Sequence, residues 1–186
     1  MATRNDSLVR HLICIALMLQ SADIFADWRE AVPNAHLLGS GDMRVFGFSV
    51  YSAQFWSPRL IAGEPLVADA PFALELTYSR AISRDDLVEA SIKEIRRWSP
   101  YGLNSELMGR WEREMQHAFV NVRAGDRITG VYVPEEGVRF YFGDNLRRVV
   151  RDEAFAKAFF AIWLDPRTRN PELRAQLLGG SKPRGR

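Results

Sequence analysis

Hydrophobic periodicity changes along this chain in blocks, and the order of the blocks leaves few folds open. Phe72-Ala73-Leu74-Glu75-Leu76-Thr77-Tyr78 alternates cleanly, so Phe72, Leu74, Leu76 and Tyr78 share one face of a half-buried strand. Upstream, Leu37 to Trp56 is rich in aromatic and β-branched residues, and its turn signals are Gly39-Ser40-Gly41 and Gly47. Two or three strands are expected there, after an irregular lead from Trp28 to Ala35. The period then becomes helical. Ser83 caps a stretch reaching Trp98, with Leu87, Ser91, Ile95 and Trp98 on one stripe and Val88 and Ile92 beside it. A second helix near Ser105 to Phe119 carries Leu107, Trp111, Met115 and Phe119. Asp126 to Val133 and Val138 to Phe142 form a hairpin around Pro134-Glu135-Glu136-Gly137. Asp152 caps a helix apolar almost all round, and Pro171 to Leu178 is a short last helix. Strands in sequential runs with helices grouped between them predict an α+β domain whose antiparallel sheet carries its helices on one face.

The first 26 residues read differently. Arg4 and Arg10 form a basic start, Leu12 to Leu19 an apolar run, and Ala26, or Ala22 before it, a small residue at a cut site. The run is shorter than the roughly 18–20 residues that span a bilayer, so a cleavable signal is favoured over a retained anchor. The expected organisation is a signal at 1–26, one domain at 27–179 and a flexible basic tail at 180–186. The product would be periplasmic or secreted and would meet the membrane only through an uncleaved signal. Cleavage removes Cys14, the single cysteine, and with it disulfide and thiol chemistry. It also removes two basic and two acidic residues, which leaves the formal charge of +2 unchanged. That balance offers no footprint for nucleic acid.

Motifs for chemistry are sparse. His36 and His117 make no zinc spacing, there is no Gly-x-Ser-x-Gly elbow or phosphate loop, and Gly39-x-Gly41 precedes a strand pattern rather than a helix. No cofactor or metal is expected. The adjacent acids Asp85-Asp86 and Glu135-Glu136 suit a helix start and a turn. What remains is a polar set, Arg44, Tyr51 and Tyr78, among Phe46, Phe48, Phe55 and Trp56. An arginine near apolar walls holds a carboxylate, phenolate or enolate through charge-assisted hydrogen bonds; an arginine snorkelling from a strand edge holds nothing.

Leu38-Gly39-Ser40-Gly41-Asp42-Met43-Arg44 resembles the Gly-rich, arginine-ended segment of the chalcone isomerase-like family, in its bacterial exported branch. Val50 to Trp56, Phe119 to Ile128, Phe155 to Asp165 and Pro171 to Arg174 follow in that family's order, so the resemblance runs from about Ala35 to Gly179. It implies an open-faced β-sandwich, a large antiparallel sheet with a helical layer on one side and a ligand cleft between them. In the plant isomerases the arginine, matched by Arg44, holds a substrate oxyanion during ring closure. The strand threonine falls near Tyr51, and the helix tyrosine and asparagine fall on Leu87 and Glu94. Leu87 donates no hydrogen bond and Glu94 brings a negative charge, so chalcone cyclisation is disfavoured. Non-catalytic relatives hold a fatty-acid carboxylate with the arginine and a tyrosine, which Arg44 with Tyr51 or Tyr78 suits better.

The leading expectation is therefore an exported, non-catalytic protein that binds a fatty-acid-like or other small amphipathic or aromatic anion. An isomerase of the intramolecular lyase type would instead use Arg44 on an enolate, with Tyr51 or Tyr78 as proton donor. A structural or partner-binding envelope protein would have its cleft filled by Phe46, Phe48 and Trp163. The binding reading asks that the Arg44 guanidinium point inward among apolar walls, unmatched by any acid of the protein.

Overall fold

The computed structural model describes residues 27–58, 70–98 and 104–180. The signal with its cut sites at Ala22 and Ala26, the loop signals Gly63 and Pro65, the break at Ser99 to Gly102 and the tail from Ser181 lie outside the described residues. Within them the chain runs α1 (Trp28–Ala31), β1 (His36–Val45), β2 (Phe48–Ser57), β3 (Phe72–Tyr78), α2 (Arg84–Trp98), α3 (Ser105–Ala118), β4 (Arg127–Val133), β5 (Gly137–Phe142), β6 (Asn145–Val150), α4 (Glu153–Leu164) and α5 (Pro171–Leu177). The strands form one sheet in the order β1-β2-β3-β4-β5-β6, every neighbouring pair antiparallel. The expected α+β class is present, and α2 to α5 cover one face as expected, while the single turn of α1 lies on the other.

Alternation decides which side of the sheet is covered. Phe55, Leu74, Gly130 and Phe140 lie opposite one another across β2 to β5. With Phe72, Leu76, Tyr132 and Val138 they share one core with Val88, Ile92 and Ile95 of α2, Trp111 and Met115 of α3, and Phe155, Phe159 and Phe160 of α4. α4 is buried on most sides, as its composition requires. Its start is fixed twice: Asp152 accepts from the Phe155 N–H at 2.9 Å and from the Trp111 indole N–H at 2.9 Å. On the opposite face α1 lays Trp28 over Trp56, Ala73, Val131 and Tyr141.

Three details correct the sequence reading. The lead before β1 contains one helical turn, α1. β6 has no clean alternation, because an edge strand pairs on one side only. Gly39-Ser40-Gly41 is not a turn but the middle of β1. Its glycines admit α5: a Cβ on Gly39 would run into the Gln176 carbonyl oxygen and stand 2.6 Å from that of Leu177, and one on Gly41 would meet Leu173 at 2.8 Å. The turn between β1 and β2 is Phe46-Gly47, both in the left-handed region with φ of +49° and +84°.

Candidate functional site

A cavity of about 560 Å³ lies between the covered face of the sheet and helices α2 and α4, open at the end where β1 meets β2. Its size falls within the roughly 300–1,000 Å³ of small-molecule sites. Leu74, Leu76, Ile128, Gly130 and Phe140 form its floor. Phe119, Phe159, Ile162 and Trp163 form the far wall, with rings packed edge-on: Phe140 against Phe159 at 5.1 Å, Phe119 against Phe140 at 5.4 Å and Phe159 against Trp163 at 5.3 Å. Edge-to-face contacts of this kind hold a wall in shape without filling the space before it.

Two buried phenols interrupt these apolar walls. Tyr51 and Tyr78 are directly paired across β2 and β3, with ring centroids 6.0 Å apart, and both line the cavity. The Trp163 indole N–H donates to the Tyr51 hydroxyl at 2.9 Å, which occupies an acceptor site of that oxygen and leaves its own proton to donate. Burial raises the Tyr51 pKa to about 12, with the Trp163 bond acting against it and the Glu94 charge adding to it. Burial, and then Tyr51 itself, push Tyr78 well above the usual phenol range. At neutral pH both phenols are therefore protonated donors. Donation by the indole also polarises the Tyr51 O–H and strengthens the bond it offers.

Arg44 lines the same cavity, but at its lip. The partners Met43 with Tyr51 and Arg44 with Ser49 leave Val50 as an extra residue in β2. This bulge breaks the alternation of β2, so the consecutive residues Val50 and Tyr51 both line the cavity, beside Met43, Arg44 and Val45 of β1. The arginine side chain is 61% exposed and stands 3.8 Å from Asp42. The expected guanidinium walled in by apolar side chains is thus corrected: the charge stands at the surface beside an acid of the protein. The condition set for Arg44 as anchor is not met, and a binding reading has to rest on other groups of the cavity. The aromatic set around it is divided as well. Phe55 belongs to the core and Trp56 to the opposite face, while Phe46 and Phe48 are 97% and 73% exposed. They do not fill the cleft.

Leu87 and Glu94 both reach the cavity, on the α2 face that the resemblance assigns to a tyrosine and an asparagine. Glu94 is held by Arg97 at 3.1 Å and Arg169 at 3.3 Å, so its charge is balanced. The sequence reading missed Trp163 as a polar partner and Arg169 as a lining cation; neither carries a local motif. Asp85 and Asp86 sit in the first turn of α2, where Ser83 accepts from the Asp86 N–H at 3.1 Å, and Glu136 pairs with Arg139 in the β4–β5 turn. Among the described residues no cluster of three or more His, Cys, Asp or Glu side chains is placed to hold a metal.

Fold and cavity together define an α+β domain with a cavity of small-molecule size between one sheet face and the helices that cover it. The chain belongs to the chalcone isomerase-like family, which it matches over residues 31–179. Among solved structures it is similar to a fatty-acid binding protein of Arabidopsis thaliana, with 13% identity and a TM-score of 0.62, over 79% of this chain and 88% of that one. At that identity the likeness is one of fold. No curated protein matches it in sequence.

Proposed function

We propose that this chain binds, without transforming it, a fatty-acid-like or other amphipathic anion, and that it does so outside the cytoplasm after losing the signal at 1–26. The observation that carries the reading is the cavity itself: apolar and aromatic walls with two buried, neutral phenol donors among them. A carboxylate would accept from Tyr51 and Tyr78, and Arg44, exposed and beside Asp42, is not needed to hold it. The tail would lie against Leu74, Ile128, Phe140 and Phe159. Likeness of fold to the Arabidopsis fatty-acid binding protein supports the same reading.

The test is extraction and mass analysis of what co-purifies, followed by titration with saturated acids of increasing chain length. Each buried methylene contributes about 0.8 kcal/mol, a factor of about four in affinity, until the cavity is full. A flat series, or affinity equal for an acid and its methyl ester, overturns the proposal. Turnover of an enone above background would replace it with the isomerase reading.

A further inference from the structure

The β1–β2 hairpin ends in a feature that folding does not explain. Phe46 is 97% exposed, Phe48 73% and Val45 43%, which makes this tip the most apolar exposed point among the described residues. Phe46 is held at φ +49°, a region that bulky residues seldom occupy. Gly47 beside it has no atom outside its chain neighbours within 4 Å of where a Cβ would stand, so the tip projects into open space. An asparagine or glycine would make this turn with less strain and no exposed ring.

The surroundings indicate what covers it. Val45 belongs both to the tip and to the rim of the cavity, together with Met43, Arg44 and Val50. Cations flank the rings. Arg44 adjoins Val45, and Arg80 follows Ser79, whose hydroxyl is 3.0 Å from that of Ser49 just beyond Phe48. Arg44 has Asp42 at 3.8 Å, and Arg80, exposed, has no ion pair among the described residues. A stable protein interface buries roughly 800 Å² on each partner and needs a complementary shape, which a four-residue convex tip does not offer. A bilayer needs no shape complement. Aromatic rings favour its interfacial zone, and arginines beside them meet anionic headgroups.

We propose that the Val45-Phe46-Gly47-Phe48 tip docks this protein on an anionic lipid surface. Phe46 and Phe48 enter the boundary between headgroups and acyl chains, Arg44 and Arg80 stand at phosphate level, and the cavity mouth faces the lipid. Docking stands on the hairpin alone; its use in loading the cavity rests on the binding reading above.

The test uses the full chain with vesicles of phosphatidylcholine alone and of phosphatidylcholine with phosphatidylglycerol. A Phe46→Trp variant reports from the tip itself, independently of the N-terminal segment. Its added emission is expected to shift to the blue on anionic vesicles and to be quenched by lipids brominated on their acyl chains. A Phe46→Asn/Phe48→Ser double variant is expected to bind the anionic vesicles about tenfold or more weakly, given the transfer free energy of two rings. Its melting temperature should not fall, since asparagine suits the left-handed position better than phenylalanine, and its fatty-acid titration in vesicle-free solution should stay unchanged. An unshifted, unquenched reporter overturns the proposal, as does vesicle binding equal in the double variant and the parent. Loss of self-association or of a protein partner, with vesicle binding intact, would make the tip a protein contact and also overturn it. Docking without fatty-acid affinity in free solution would leave the tip assignment standing and remove the binding function.

Discussion

Replacing Tyr51 by phenylalanine removes one oxygen from the site and little else, since the ring keeps its place against Tyr78 at 6.0 Å. That oxygen has two partners in the binding reading: it accepts from Trp163 at 2.9 Å and donates to the ligand carboxylate. A hydrogen bond to a charged group contributes about 1.5–3 kcal/mol, so affinity for a fatty acid should fall about 10- to 150-fold. The stranded Trp163 N–H should cost the free protein about 1 kcal/mol or more, visible as a lower melting temperature. The assay is titration of tryptophan emission with one saturated acid and its methyl ester, for the parent, Tyr51→Phe, Tyr78→Phe and Trp163→Phe. Tyr51→Phe should lower acid affinity and leave ester affinity nearly unchanged, because the tail contacts are intact. Trp163→Phe keeps Tyr51 as a donor but removes the indole bond and part of the cavity wall, so it should weaken the acid and the ester together, unlike Tyr51→Phe. A loss below about threefold, under ~0.7 kcal/mol, in both tyrosine variants would refute the claim that the phenols hold the head group.

Other consequences can be checked on the free protein. Gly39→Ala should destabilise by about 1–3 kcal/mol, because its methyl group meets two α5 carbonyls that must shift; Gly109→Ala, in α3 with only Arg113 at 3.5 Å, should stabilise by about 0.5–1 kcal/mol. Equal effects of the two in chemical denaturation would show that α5 does not need the bare strand. Asp152→Ala loses the α4 cap and the Trp111 bond together, for about 2–4 kcal/mol, and Asp152→Asn should recover the larger part; thermal unfolding of both variants decides. Tyr51 has a folded pKa of about 12 against 10.0 as its ordinary value, so its contribution to stability is complete below pH 10 and is lost as pH rises toward 12. Unfolding free energy should fall over that window by up to about 1.4 kcal/mol per pH unit for this group, and spectrophotometric titration should find tyrosines silent near pH 10. Simultaneous ionisation of every tyrosine near pH 10 in the native protein would contradict the buried pair.

Sequence pattern was most informative where one residue type served one purpose. β3 and α4 lie where the periodicity puts them, but β3, expected half-buried, is buried on both faces, because α1 covers Ala73 on the side away from the main core. β6 escaped notice because Asn145-Leu146-Arg147-Arg148-Val149-Val150 is an edge: exposure of several residues erases the period that marks a central strand. Gly39 and Gly41 were legible as turn formers, yet they serve close approach of a helix from the other end of the chain. No local pattern encodes that distance. The site divides in the same way. Tyr51 and Tyr78 line the cavity because they are inward positions of paired strands, a matter of parity. Val50 reaches the same cavity only because it is an extra residue in β2 beside Tyr51; one added residue changes which side chains of that strand reach the lining and leaves no mark in composition. Trp163, 112 positions from Tyr51, reads only as core until the helix is docked.

α5 seals β1, so the beginning and the end of the domain are parts of one wall. Each of β2 to β6 pairs with the strand made just before it, whereas Gly39 and Gly41 wait for residues 173–177. A chain cut short before Pro171 would keep every lining residue of the cavity, yet its first strand would lose the helix that Gly39 and Gly41 are bare to receive.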